Sequence, residues 1–277
     1  MAASFSIEAR EWRDAAGAIS YLACGEGVPV VLLHGIGSAA RSFAGQLEGL
    51  GRDHRVIAWN APGYAGSTPL AMAEPGAGAY ADRLAALLAG IGVERCHLAG
   101  HSLGALIAAR FAVTRPARVI SLALASVALG HAMWPDVERA RLRAARLDDL
   151  DQLGARGMAE KRGPRLLGPD ATPRMIASVI ETMAGVARPG YAQAAALLSA
   201  GDALADIARL SPAIPLAIIH GDADVITPPD NNRRAAAARA GTTVHVIAGG
   251  GHAVYLEKPE AFNAALAQHM SGALGQQ

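Results

Sequence analysis

The chain contains 277 residues, of which 52% are hydrophobic and 18% are charged, and its formal net charge is +1. This apolar composition excludes a disordered chain, and the near-neutral charge without a long basic run argues against a nucleic-acid partner. The length allows one domain with an insertion or two separate domains. Cys24 and Cys96 both fall in predicted buried strands, so we expect no disulfide framework.

The N-terminal segment contains Glu8 and Glu11 and lacks the apolar core of a signal peptide. No uninterrupted apolar stretch approaches the ~18 residues that a membrane span requires. We therefore expect a cytoplasmic protein without membrane association. The sequence leaves the oligomeric state open, with a homo-oligomer as one alternative.

Short apolar strands alternate with amphipathic helices over the first half of the chain. The predicted elements there are a leading hairpin (strands 5–10 and 19–24), strands at 29–33 and 55–59, helices at 39–50 and 80–91, a strand ending at 99, a helix at 103–115 and a strand at 119–125. This alternation predicts an α/β fold in which a mostly parallel central sheet carries helices on both faces.

The alternation breaks between residues 130 and 210, where the composition is helical and prolines divide the segment. It resumes with a strand at 215–220, a helix at 230–239, a strand at 243–247 and a helix at 259–274. We interpret residues 1–129 and 211–277 as one core, with residues 130–210 inserted as a helical lid over a pocket.

Ser102 lies between Gly100 and Gly104 at a predicted junction of strand and helix. A strand that turns into a helix within about three residues must fold back sharply at the serine, and a Cβ at either glycine would clash with the opposing arm. Such a turn lifts the hydroxyl clear of the sheet, beside a helix N-terminus. The pattern therefore predicts a catalytic nucleophile.

A serine nucleophile requires a base and an orienting carboxylate, which in sheets of this kind follow it in the order acid, then base. His252 follows the strand that ends at Ile247 and is the predicted base. Asp222 and Asp224 both follow the preceding strand. We favour Asp224, because Asp222 lies within the tight turn, where an Asp side chain bonds backbone N–H groups.

Two N–H donors are needed for the oxyanion that forms when a serine attacks a carbonyl. Leu103, the first residue of its helix, supplies one, and Ile36, between Gly35 and Gly37, is the candidate for the other. His34, which precedes this loop, is a candidate for substrate contact, with bracing of the loop as the alternative.

The predicted lid supplies further candidate substrate contacts. Arg139, Arg143 and Arg146 fall near one helical face. Either this face is solvated, or one of its arginines points inward and binds a substrate carboxylate. Trp134 is a candidate for lining the pocket, with core packing as the alternative. No cluster has metal-ligand spacing and no Gly-x-Gly-x-x-Gly follows the first strands, so we expect neither a metal nor a cofactor.

The chain resembles the α/β-hydrolase superfamily over nearly its whole length. The motifs that carry this resemblance are His34–Gly37, Pro62–Ser67, Gly100–Gly104, Gly221–Asp224, Gly251–His252 and Leu256–Phe262. The acid position of the superfamily matches Asp224. The likeness is greatest to small bacterial lidded hydrolases, which include 3-oxoadipate enol-lactonases, carboxylesterases and the C–C hydrolases of meta-cleavage products. In that last group a Trp commonly follows the catalytic His, whereas Ala253 does so here.

Residues and resemblance together imply a serine hydrolase that cleaves a small-molecule ester or lactone through an acyl-enzyme. Ser102, His252 and Asp224 are its expected nucleophile, base and orienting acid. One alternative is a C–C hydrolase with the same residues. Another is a non-hydrolytic member of the superfamily, either a ligand receptor or a cofactor-free oxygenase or lyase.

Overall fold

The computed structural model describes residues 6–274, which form an eight-stranded sheet flanked by helices. The strands are β1 (Glu8–Asp14), β2 (Gly17–Cys24), β3 (Pro29–Leu33), β4 (Arg55–Trp59), β5 (Cys96–His101), β6 (Val119–Ala125), β7 (Leu216–Gly221) and β8 (Thr243–Ile247). Their spatial order is β1-β2-β4-β3-β5-β6-β7-β8. Only the pairs β1–β2 and β2–β4 are antiparallel among these strands. The predicted fold, a mostly parallel α/β sheet, is confirmed.

Helices cover both faces of the sheet. The α-helices of the described residues are α1 (Ala44–Leu50), α2 (Ala77–Gly90), α3 (Leu103–Thr114), α4 (Asp136–Arg162), α5 (Pro173–Met183), α6 (Arg188–Ala200), α7 (Ala203–Ala208), α8 (Pro229–Ala237), α9 (Val254–Glu257) and α10 (Pro259–Leu274). None of the helices within residues 6–274 combines the length and hydropathy needed to cross a bilayer.

The central strands are buried on both faces, as strand β3 shows. Val31 and Leu33 belong to one hydrophobic core together with α2 and α3, whereas Val30 and Leu32 belong to a second core with α1 and α10. A strand covered from both sides needs apolar side chains at successive positions. This requirement explains the unbroken apolar run that predicted β3.

Strand β1 differs from the predicted leading strand, because it spans Glu8–Asp14 rather than residues 5–10. Residue 5 lies outside the described residues. Asp14 pairs with Gly17, so the strand continues up to the turn. Almost all of its side chains are exposed, since β1 is an edge strand held by backbone pairing, and an apolar pattern therefore does not mark its end.

The segment between β6 and β7 contains the helices α4–α7, and we call it the helical insertion (residues 130–210). Pro173 is the first residue of α5 and Pro189 lies in the first turn of α6, positions where a missing N–H costs nothing. Gly154 has a φ of 67° and breaks α4 into two pieces. The prediction of a helical segment divided by Pro and Gly is confirmed.

Candidate active site

Ser102 occupies a sharp turn between β5 and α3. Its φ of 54° and ψ of −114° place a non-glycine residue in a strained backbone conformation, of the kind that clusters at functional sites. A Cβ on Gly100 would collide with the carbonyl of Gly104, and a Cβ on Gly104 would collide with the carbonyl of Leu33. The predicted need for glycine on both sides of the serine is confirmed.

Asp224 and His252 are joined by a hydrogen bond of 2.9 Å between Oδ2 and Nδ1. The other oxygen of Asp224 accepts the backbone N–H groups of Ile226 at 2.8 Å and Thr227 at 2.9 Å. Burial raises the pKa of Asp224, but its hydrogen bond to His252, the charge of His252 and the donors of Thr227 outweigh it and lower the pKa to about 2. Asp224 is therefore a fixed carboxylate that orients the imidazole.

Asp222, the alternative acid, has a different partner. Its Oδ1 accepts the backbone N–H of Gly249 at 2.7 Å and so ties the turn after β7 to the turn after β8. The geometry therefore supports Asp224, not Asp222, as the partner of the histidine.

The backbone around His252 is anchored from three sides. Glu257 accepts the N–H of Gly251 at 3.0 Å and, with its other oxygen, the N–H of Gly168 at 2.6 Å. Ala253 donates its N–H to the carbonyl of Leu166 at 2.8 Å. These bonds tie the histidine loop to the helical insertion. Sequence reasoning missed the role of Glu257, although this residue lies in the closing motif of the resemblance.

His101, the neighbour of Ser102, supplies the third anchor. Its Nε2–H donates to the carbonyl of His252 at 2.8 Å, and the two ring centroids lie 4.7 Å apart. Burial first, and the charge of His252 second, lower the pKa of His101 to about 3. His101 thus remains a neutral donor that links the serine turn to the histidine loop.

Ser102 and His252 line the same cavity, which has a volume of about 500 Å³. Within residues 6–274 no hydrogen bond joins the Ser102 hydroxyl to the His252 ring. Catalytic hydrogen bonds are often long before substrate binds and shorten in the complex. The arrangement brings all three predicted triad residues to one edge of the sheet, since β5, β7 and β8 run parallel and end there.

Ile36 and Leu103, the two predicted oxyanion donors, both lie near Ser102. Leu103 is the first residue of α3, so its N–H has no partner within the helix. Ile36 lines the cavity, and a Cβ on the preceding Gly35 would lie 3.0 Å from the Cβ of Ser102. The N–H of Gly37 donates to the hydroxyl of Tyr64 at 3.4 Å, which holds the loop against the core.

His34 does not reach the cavity, which corrects its assignment as a candidate substrate contact. Its Nε2 accepts the N–H of Ala61 at 3.0 Å and its Nδ1–H donates to the carbonyl of Gly35 at 2.8 Å. Burial lowers its pKa to about 4, so the ring stays neutral. One nitrogen therefore accepts and the other donates, and both are bonded to the backbone. His34 therefore braces the loops after β3 and β4, which is the alternative that the sequence left open.

The arginines of α4 point in different directions. Arg139 pairs with Asp136, and Arg143 pairs with Glu74 at 2.7 Å, and neither lines the cavity. The structure therefore places neither residue against the substrate space. Arg146 does line the cavity, and the half-exposed Trp134 joins it at the rim.

Sequence reasoning missed several residues that also line the cavity. They include Arg162, Arg165, Arg234 and Tyr255. The hydroxyl of Tyr255 donates to the hydroxyl of Ser42 at 3.1 Å. The proximity of Tyr255 to His252 in the chain was a usable signal, whereas nothing local singled out the arginines. Within residues 6–274 no cluster of three or more His, Cys, Asp or Glu residues has the arrangement of a metal site.

A family model described as the alpha/beta hydrolase family matches residues 30–265. A Variovorax paradoxus protein, provisionally named a carbamate hydrolase, is 32% identical over 251 residues, covering 87% of this chain and 91% of the relative. A pimeloyl-[acyl-carrier protein] methyl ester esterase of Chromobacterium violaceum is 28% identical over 250 residues, and the match covers 89% of this chain and 95% of the esterase. The enol-lactonase from Burkholderia xenovorans superposes with a TM-score of 0.85 at 19% identity, over 95% of this chain and 100% of the other.

Proposed function

The chain belongs to the alpha/beta hydrolase family, and on that premise we propose that it is a serine hydrolase that cleaves a small carboxylic ester or lactone through an acyl-enzyme. The observation that carries this proposal is the buried 2.9 Å bond between Asp224 and His252 on the wall of the cavity that Ser102 also lines. Nucleophile, base and orienting acid are the three groups that acyl transfer by a serine needs.

In the acylation step, His252 takes the proton of the Ser102 hydroxyl as the oxygen attacks the substrate carbonyl. Asp224 accepts the Nδ1–H of His252, so the other ring nitrogen, Nε2, is the one that receives the proton. The charge that this transfer creates on the imidazole is stabilised by the Asp224 carboxylate. The N–H groups of Ile36 and Leu103 stabilise the oxyanion.

Acylation is completed when the protonated His252 donates its proton to the leaving alcohol, or to the ring oxygen of a lactone, as the bond from that oxygen to the carbonyl carbon breaks. Water then attacks the acyl-enzyme, with His252 as the base, and the carboxylic acid leaves as Ser102 regains its proton. For a lactone the alcohol and acid groups belong to one molecule, so a single hydroxy acid is released.

The comparisons support attack on an acyl carbonyl. The curated relatives are named for cleavage of a carbamate and of a methyl ester, and both bonds contain a carbonyl that a serine attacks in the same way. Ala253 follows the histidine, which favours ester or lactone cleavage over C–C bond cleavage. Labelling with a fluorophosphonate probe distinguishes this function from the C–C hydrolase and the non-hydrolytic alternatives.

A fluorophosphonate probe tests the covalent step directly. The wild-type protein should gain one phosphonyl group on Ser102, located by mass spectrometry of the tryptic peptide. Ser178→Ala, a substitution at an exposed position of α5, should label like the wild type, and Ser102→Ala should not label. Absence of labelling in the wild type would favour a non-hydrolytic member. Labelling combined with turnover of a ring-fission diketone, but not of esters or lactones, would favour C–C cleavage.

A further inference from the structure

Arg146 differs from Arg139, Arg141 and Arg143, its neighbours on α4, in where its side chain lies. It is half-buried and lines the cavity that contains Ser102. Arg141, on the same helix, is exposed and does not line the cavity. The rotation of the part of α4 before Gly154 therefore turns Arg146, among its arginines, toward the substrate space.

The charged side chains of the cavity wall are mostly positive. They are Arg146, Arg162, Arg165 and Arg234, with Asp202 as the acid among the lining residues. Arg162 is neutralised by Asp149, whose oxygen lies 2.7 Å from its Nε. Asp202 accepts the N–H of Ala205 at 3.0 Å as the N-cap of α7. The cavity therefore retains an excess of positive charge.

Arg146 has no ion pair or side-chain hydrogen bond among the partners found within residues 6–274, whereas Arg139, Arg143 and Arg162 each have an acidic partner. His131 lies close to Arg146 on the cavity wall, where burial and, to a smaller extent, the Arg146 charge lower its pKa. His131 is therefore neutral near pH 7 and adds no charge of its own. A half-buried guanidinium without a counter-ion loses hydration that an anionic ligand would replace.

We propose that the substrate of this site carries a free carboxylate besides its ester or lactone bond, and that Arg146 binds this carboxylate. The planar guanidinium offers paired N–H donors that match the two oxygens of a carboxylate. The substrate class is then the half-esters of small dicarboxylic acids and lactones with a carboxylate substituent, which suit a cavity of about 500 Å³. This inference rests on the proposed serine hydrolase function.

Matched pairs of substrates test the proposal. The mono-p-nitrophenyl esters of succinate, glutarate and adipate are anionic, and p-nitrophenyl butanoate, pentanoate and hexanoate are their neutral counterparts. For the wild type, kcat/KM for at least one anionic ester should exceed that of its neutral counterpart. Arg146→Met should lower this ratio by at least tenfold, mainly through KM, because a charge-assisted bidentate bond is lost.

Two further variants separate recognition from net charge. Arg141→Met removes the same charge from the same helix at an exposed position, so the ratio should stay within about twofold of the wild type. Arg146→Lys keeps the positive charge but loses the paired, coplanar N–H donors of the guanidinium. Its ratio of kcat/KM for the anionic over the neutral ester should therefore lie between those of the wild type and Arg146→Met. Equal ratios for the wild type and Arg146→Met would overturn the proposal.

Calorimetry separates failure of this inference from failure of the proposed function. Glutarate should bind the wild type at least tenfold more tightly than it binds Arg146→Met, and glutaramide should show no such difference. If no ester in the set is hydrolysed and the fluorophosphonate does not label Ser102, the hydrolase proposal fails while this measurement still decides on Arg146. If the neutral esters are hydrolysed but glutarate binds both proteins equally, the inference about the carboxylate fails alone.

Discussion

Nδ1 of His252 lies 2.9 Å from Oδ2 of Asp224, although the two residues come from different loops, 28 positions apart in the chain. Both side chains are almost fully buried. Thr227 donates a second hydrogen bond to the same carboxylate oxygen at 2.7 Å, and its hydroxyl also lies 3.1 Å from Nδ1 of His252. The imidazole is therefore held in one orientation, with its other nitrogen left for the substrate side.

Removal of the Ser102 hydroxyl should abolish ester turnover without unfolding the protein. Ser102→Ala is expected to lower kcat for p-nitrophenyl acetate by about 10⁴-fold or more, because the nucleophile is lost. The thermal unfolding midpoint should stay close to that of the wild type, since the hydroxyl makes no bond to His252. Undiminished turnover in this variant would contradict the proposed function.

The choice between the two acids of the loop after β7 can be tested with a matched pair of variants. Asp224→Asn should lower kcat by about 10⁴-fold, because an amide no longer selects the productive tautomer of His252. Asp222→Asn retains an oxygen that accepts the N–H of Gly249, so kcat should change by less than about tenfold. Steady-state kinetics with p-nitrophenyl acetate decides, and a larger loss for Asp222→Asn would reverse the assignment.

Buried neutral histidines should make the fold sensitive to mild acid. Burial is the main cause that lowers the pKa of His34 and His97 to about 4 and that of His101 to about 3. The unfolded chain binds protons at these positions near pH 6.5 and the folded chain does not, so stability falls as the pH drops from 6.5 toward 4. Each histidine contributes up to about 1.4 kcal/mol per pH unit in this window.

Urea unfolding between pH 8 and pH 5 measures this dependence. The midpoint should be nearly constant above pH 7 and should fall steeply below pH 6.5. His97→Gln removes one of these titrating groups, so the slope of stability against pH should fall by the equivalent of about one proton. We choose His97 because it lies away from the active-site cavity, where it bonds Ser121 at 2.8 Å. A midpoint that does not change between pH 7.5 and pH 5 would show that these histidines take up protons freely in the folded state.

The glycines of the serine turn should be intolerant of a side chain. Gly104→Ala places a Cβ against the backbone carbonyl of Leu33, which cannot move without disturbing β3, so the protein should lose several kcal/mol of stability or fail to fold. Gly272→Ala in α10 is the control, because its Cβ meets open space and helix propensity favours Ala by about 0.5–1 kcal/mol. Equal unfolding midpoints for both variants would contradict the close packing at the turn.

Patterns that are local in the chain predicted most of the fold. The spacing of apolar residues placed β3, β4 and β6 at their observed bounds, since buried strands in a parallel sheet leave continuous apolar runs. The exposed edge strand β1 was misplaced, because backbone pairing holds it and leaves no such pattern. The strand order around β4 and β3 also required the tertiary structure, since pairing between strands depends on contacts far apart in sequence.

The sequence by itself determined the serine turn and the histidine, because a Gly-x-Ser-x-Gly junction and a loop after a strand are features of neighbouring residues. Only the tertiary structure decided that Asp224 meets His252, that His34 braces loops, and that Arg146 faces the cavity. The physical reason is the same in each case. The direction of a side chain at a loop or on a helix is set by the rotation and packing of whole elements, and these depend on the cores that form between them.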